Sequence, residues 1–255
     1  MNRSLPSLFI ALLMLFPSVF VAEASGRGRG GRTSFTSSSA SEVHTEKIEL
    51  EAKPYKLNIT RLSLHDSPNV IVNIHPGEGP FLTVTTDAEA FGNIALNVNN
   101  AMGTIDISSR TQCRVAQFVV ELTVPVNELN CSGGFEINAV IAAVPDFAMN
   151  TEGEINGALQ INAVHNVAIN SEGESNLVLK GSADSLTCKC EGEGNITAHE
   201  LQTHDSKLEL SGEGTVSVSA DRTLKADAEG EWKCSYAGTP AIDFNPSGDC
   251  KLRKI

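Results

Sequence analysis

From Leu129 to the end of the chain, apolar and polar residues alternate on both sides of a recurring glycine motif, written CSGG, TEGE, SEGE, EGEG, SGEG, AEGE and PSGD and acidic in all but the first. Aligned on one glycine of each motif, Gly133, Gly153, Gly173, Gly194, Gly214, Gly230 and Gly248 follow at intervals of 20, 20, 21, 20, 16 and 18 residues. Other positions keep step. Four residues before the glycine stand Leu129, Met149, Ile169, Cys190, Leu210, Ala226 and Phe244; two after it stand Phe135, Ile155, Ser175, Ile196, Val216, Trp232 and Cys250. These offsets are even, so the alternation has a period of two, which belongs to strands and not to helices.

An inward register repeating at about 20 residues predicts an all-β fold, a parallel β-helix-like solenoid in which each coil buries its apolar face against its neighbours. Every coil must turn a corner, and glycine takes a positive φ there without a Cβ penalty. An antiparallel sandwich would instead place turns every 8–12 residues. Residues 129–255 are therefore expected to form the repetitive coils. Residues 43–128 carry alternating runs such as NVIVNIH, FLTVTTD and GTIDISS, and are expected to begin the stack or cap it. Lys251, Arg253 and Lys254 put charge on the last strand, a usual obstacle to edge-to-edge pairing.

The first stretch changes the picture of where the chain works. Arg3, the apolar run Leu5–Val21 and the small-residue site Ala22–Ala24 read as a signal peptide, residues 1–24, cleaved after Ala24. The run is short and interrupted by Pro6 and Pro17, so no membrane span is expected after cleavage. Residues 25–42, rich in Gly, Ser and Arg, read as a flexible linker. The chain is thus expected in the periplasm, on the outer surface or secreted. Its net charge of −12 makes nucleic acid a poor partner and cations or basic surfaces better ones.

The motifs LSGEGTVSVSA (Leu210–Ala220) and EGEGNITA (Glu191–Ala198), the closing CSYAGTPAIDFNPSGDCKLRKI and the entry VELTVPVNELNCSGG resemble the auto-transporter adhesin head GIN domain family of exported bacterial proteins. The likeness spans residues 58 to 255. It implies a right-handed parallel β-helix-like fold, a place in the cell envelope and an adhesive role towards a protein or glycan partner, and it transfers no catalytic residue. Where that family has Ser before the corner glycine, this chain has Glu152, Glu172, Glu193, Glu213 and Glu229.

Stacked carboxylates repel, and three outcomes relieve them: splaying into solvent, titrating upward, or sharing a cation, for which Ca²⁺ is the natural choice on an exported protein. Those five glutamates are accordingly the candidate metal ligands, with Asn130, Asn150 and Asn170 as further oxygen donors. Six cysteines in an exported chain suggest disulfides, with Cys113–Cys131 and Cys234–Cys250 as the candidate pairs. HELQTHD (His199–Asp205) lacks the helical His spacing of a zinc protease. No nucleophile elbow or phosphate-binding loop occurs. The expected function is a non-enzymatic scaffold that binds a partner through its wall. The competing reading is a polysaccharide lyase or hydrolase that uses the acidic wall, which would need a basic residue beside a carboxylate pair.

Overall fold

The computed structural model describes residues 42–60, 62, 64–65, 70–111, 113–114 and 118–255. The stretch expected as a signal peptide, residues 1–24, and the expected linker up to residue 41 lie outside the described residues. Among those described, strand dominates and the one short helix has four residues.

Two walls meet at a glycine corner. Strand β10 (Val126–Ile141) turns that corner at Gly133, and the long ladder β11 (Asp146–Gln202) stacks on it in parallel, Leu129 against Met149, Gly133 against Gly153 and Phe135 against Ile155. Strands β12 (Asp205–Ala220) and β13 (Thr223–Gly238) continue the same parallel register. On the last coil the two walls separate into β14 (Ala241–Gly248) and β15 (Lys251–Lys254), both paired to β13. The whole is a parallel β-solenoid of about 6 turns of roughly 20 residues each, as the periodicity predicts.

The start of the chain supplies two further coils, inserted out of sequence order. Strands β2 (Tyr55–Ile59), β3 (Leu64–His65) and β4 (Val70–Ile74) form one coil, with β2 and β4 lying against β10. After it the chain leaves the stack through β5 (Phe81–Asp87), helix α1 (Ala88–Phe91) and β6 (Ile94–Asn99). It returns as β7 (Thr104–Ser109), β8 (Cys113–Arg114) and β9 (Phe118–Leu122), which pair in parallel with β2, β3 and β4 as the next coil outward. Antiparallel strands close this end: β6 on β7, β5 on β9, and β1 (Val43–Glu49) on β5. Tyr55, fully buried, anchors the cap, its hydroxyl donating to Asn100 Oδ1 at 2.6 Å and accepting from the Glu51 amide at 3.1 Å.

The core is a set of inward columns. Leu129, Met149, Ile169, Cys188, Leu208 and Ala226 are each fully buried, and on the second wall Ile137, Ile196, Val216 and Cys234 face the same interior. At the corner, Gly153 has a φ of +115° and an added Cβ would lie 2.5 Å from the Gly133 carbonyl oxygen. A side chain there would therefore be strained in its backbone and would strike the coil above.

Register corrects one part of the sequence reading. Gly212 stacks between Gly192 and Gly230, so the corner column is Gly133, Gly153, Gly173, Gly192, Gly212, Gly230 and Gly248. Gly194 and Gly214 stand two residues beyond it, in an inward column that leads to Trp232 on the following coil. The reason is volume. Trp232 is fully buried, and an added Cβ on Gly194 would lie 2.9 Å from the indole Cη2 and 2.7 Å from Cys190 Sγ. The two glycines make room for an indole reaching up from the coil below.

Candidate functional site

Correcting the corner also splits the acidic ladder. Glu152, Glu172 and Glu229 precede the corner glycine, in a column shared with Ser132, Glu191, Ser211 and Ser247. Glu193 and Glu213 follow it, in register with each other and with Glu231, beside Glu154 and Glu174 on the earlier coils. The five glutamates singled out in the sequence are therefore two columns on either side of a glycine ridge, and all five are exposed. Unit charges one rung apart, about 4.8 Å, repel by about 0.9 kcal/mol in water. Their exposure lets these side chains splay and salt screen them. Among the described residues, no group of three or more His, Cys, Asp or Glu side chains is placed to hold a metal ion.

The asparagines offered as extra ligands do something else. Asn170 donates to Asn150, Asn150 to Asn130 and Asn130 to Asn58, each at 2.7 Å, and Asn58 donates to Asp106 at 2.6 Å. This ladder runs up the first wall across five coils; Asn58, Asn130 and Asn150 each both accept and donate, so their oxygens already hold partners, and Asn170 donates into the ladder from its end. A second ladder climbs the other wall: Thr215 donates to Asn195 at 2.9 Å, Asn195 to Asn176 at 3.0 Å and Asn176 to Asn156 at 3.2 Å. The shared offset of Asn130, Asn150 and Asn170 was visible in the sequence, but the lateral hydrogen bonding required knowing which coils adjoin.

Shallow grooves flank the ridge. One is lined by Lys189, Glu191, Glu209, Asp227, Glu229 and Asn245, and within it Lys189 pairs with Glu191 at 2.6 Å. Lys207 pairs with Glu209 at 2.5 Å, which draws that carboxyl below its ordinary range, while the Asn245 amide, donating to Asp227 at 2.9 Å, and then Lys225, paired with it at 3.4 Å, draw the Asp227 carboxyl down. Lys189, Lys207 and Lys225 thus engage carboxylates two residues away on their own strands. The other groove joins Glu193, Glu213, Glu231 and Asp249 to Lys233 and Lys251.

Away from the ridge, where each coil passes from one wall back to the other, lies a cluster that joins His204 and Asp205 of HELQTHD to Asp221, Arg222 and Thr223, partners the sequence alone did not bring together. His204 Nδ1 lies 2.9 Å from Asp221, which raises the imidazole pKa, and Arg222 grips Asp205 while the Thr223 hydroxyl donates to it at 2.6 Å. The guanidinium and hydroxyl hold the Asp205 carboxyl down to about 2. His165 and Asp184 line the same concavity. Its signal was a polar run at one phase of the repeat, with His204 and Arg222 at matching positions on successive coils.

The cysteines are free thiols where described. Cys131, Cys188 and Cys234 are buried, and burial pushes the Cys234 thiol up to about 11. Cys250 is half-buried, its thiol lying 3.4 Å from the Gly230 carbonyl oxygen. Cys234 is level with Leu252, so Cys250 stands two residues out of step with it. Cys131 is unbridged; the side chain of Cys113 lies outside the described residues. Trp232 is core, its Nε1 without a hydrogen-bond partner.

A family model described as "Putative auto-transporter adhesin, head GIN domain" matches residues 58–240. Among solved structures, a putative adhesin from Bacteroides fragilis aligns with a TM-score of 0.67 at 16% identity, over 84% of this chain and 97% of that one. A putative adhesin from Parabacteroides merdae aligns at 0.56 with 15% identity, over 85% and 97%. A putative lipid binding protein from Parabacteroides distasonis aligns at 0.56 with 17% identity, over 85% and 98%. At such identities the likeness is one of fold. No curated protein matches the chain. No helix among the described residues is long and apolar enough to cross a membrane.

Proposed function

We propose, from the premise that this chain belongs to the head GIN domain family of putative auto-transporter adhesins, that it is an exported, non-enzymatic β-solenoid of the bacterial cell envelope that binds a surface partner through its wall. The observation that carries this reading is the second-wall ladder Asn156–Asn176–Asn195–Thr215, whose polar side chains are tied rung to rung at 2.9–3.2 Å. Side chains already held in place lose little freedom on binding, so a flat polar face of this kind is suited to gripping a repetitive protein or glycan. The acidic ridge at its edge favours partners with basic groups and disfavours polyanions.

The test is retention of beads coated with the purified chain on arrays of glycans and matrix proteins. Retention is expected on at least one class of surface, and Asn176→Ala together with Asn195→Ala is expected to reduce it while leaving the fold intact. Cleavage of neutral or acidic polysaccharides that disappears in Glu193→Gln would overturn the reading in favour of an enzyme.

A further inference from the structure

The two ends of the stack differ from its walls in a way that points to a partner. Four large apolar side chains are exposed among the described residues, and none lies on the middle coils: Val43 (53%) and Met102 (75%) belong to the capped end, Ile242 (45%) and Ile255 (56%) to the opposite one. Both ends of the second wall also finish on an exposed strand. That wall runs β1–β5–β9–β4–β10 and on through β11, β12 and β13 to β15, and no described strand pairs beyond β1 or β15. Because β1 is antiparallel to β5 and β5 antiparallel to β9, the two reversals cancel. Strand β1 therefore runs in the same direction as β15.

The charges at these edges are opposite. Strand β15 carries Lys251, Arg253 and Lys254, of which Lys251 is paired with Asp249 at 2.9 Å. Neither Arg253 nor Lys254 forms an ion pair among the described residues. The β1 edge carries Glu46 and Glu49, with Glu42 just before it, against the single Lys47, whose ammonium sits 3.6 Å from the Phe81 ring. On their inner sides, Ile48 and Leu252 are each partly covered by the core and offer an apolar rung to a neighbour.

We infer that the chain associates head-to-tail with a second copy, β15 of one molecule adding in parallel to β1 of the next so that the second wall continues across the junction. Charge on an edge strand blocks pairing with a like edge. Here it selects as well as blocks: two β15 edges repel, two β1 edges repel, and the unlike pair attracts. A contact between two different surfaces of one molecule leaves a free edge at each end, and because β1 and β15 lie at opposite ends of one wall and run the same way, each added copy continues the wall as an open series and not a discrete dimer.

Sedimentation velocity on the full purified chain tests this, with the segment before β1 present. At low ionic strength the weight-average sedimentation coefficient is expected to keep rising with concentration, and to fall back in high salt. The paired reversals Glu46→Lys with Glu49→Lys, and Arg253→Glu with Lys254→Glu, are each expected to weaken association by about tenfold or more, since like charges brought together across an interface are strongly unfavourable. An equimolar mixture of the two variants is expected to associate again, because each then offers the edge the other lacks. A monomer at all concentrations, a dimer unaffected by either reversal, or a mixture that stays apart would overturn the inference. Recovery in the mixture separates charge matching from misfolding of either variant.

Discussion

Replacing Trp232 with alanine is the perturbation whose size follows most directly from the packing. The side chain is fully buried, and its indole passes Gly214 to reach Gly194, two coils away. Truncating a buried tryptophan costs about 3–5 kcal/mol in lost contacts and residual cavity. In a domain of this size each kcal/mol moves Tm by about 2–4 °C, so a fall of about 6–20 °C is expected. Phenylalanine should cost much less. It keeps a ring in the column and removes the unpaired Nε1–H, whose burial without a partner carries a penalty of about 1–3 kcal/mol. The assay is urea and thermal unfolding followed by circular dichroism, with a second probe because coils that touch only their neighbours need not unfold as one unit. Gly194→Ala completes a double-mutant cycle: it should cost more beside Trp232 than beside phenylalanine, with a coupling of about 0.5 kcal/mol or more. A loss below about 1 kcal/mol for Trp232→Ala, or strict additivity in the cycle, would refute the packing argument.

Three further outcomes follow from other columns. Gly212→Ala, at φ +118° with its new Cβ 2.2 Å from the Gly192 oxygen, should destabilise by more than about 2 kcal/mol, whereas Gly92→Ala, at φ −61° in open space, should be near neutral; parallel melts compare them. Asn150→Leu breaks two ladder bonds of 2.7 Å and leaves the amide of Asn170 and the oxygen of Asn130 without partners, at a cost of about 2 kcal/mol or more by urea titration. Arg222→Ala should raise the Asp205 carboxyl from about 2 towards 3.8, read by NMR titration. The sign is that of a depressed acid: whatever stability the Asp205 contacts contribute is present above 3.8 and is lost as pH falls towards 2, so the variant should show a shallower acid loss.

The core was legible in the sequence because burial depends only on parity. Choosing Gly194 instead of Gly192 as the corner displaced two coils by two residues, and a shift of two leaves every inward residue inward; Leu208, Ile196 and Val216 are buried under either alignment. Column membership has no such protection. Glu193 and Glu213 moved from one side of the ridge to the other, because Glu191–Gly194 and Ser211–Gly214 each hold two glycines that could turn the corner, and the volume of Trp232, one coil from Gly214 and two from Gly194, breaks the tie. The out-of-order coils β2–β4 and β7–β9 were illegible for another reason. Parallel pairing between segments separated by a cap leaves no periodic trace, and β5 and β6 alternate like any coil strand. The polar cluster at Asp205 and Arg222 depended on coil adjacency in the same way.

Stacking register is the claim on which the ridge, the ladders and the Trp232 column all rest, and disulfide trapping at the exposed corner measures it directly. With Cys250 replaced by serine, Glu213→Cys and Glu231→Cys place thiols on facing residues of adjacent coils. Glu213→Cys with Glu229→Cys places them two residues out of step, about 8 Å apart between Cα atoms and beyond easy bridging. Rapid oxidation of the first pair and slow oxidation of the second is the predicted result. The reverse order would show that Gly214 turns the corner, and the stacking described here would be wrong.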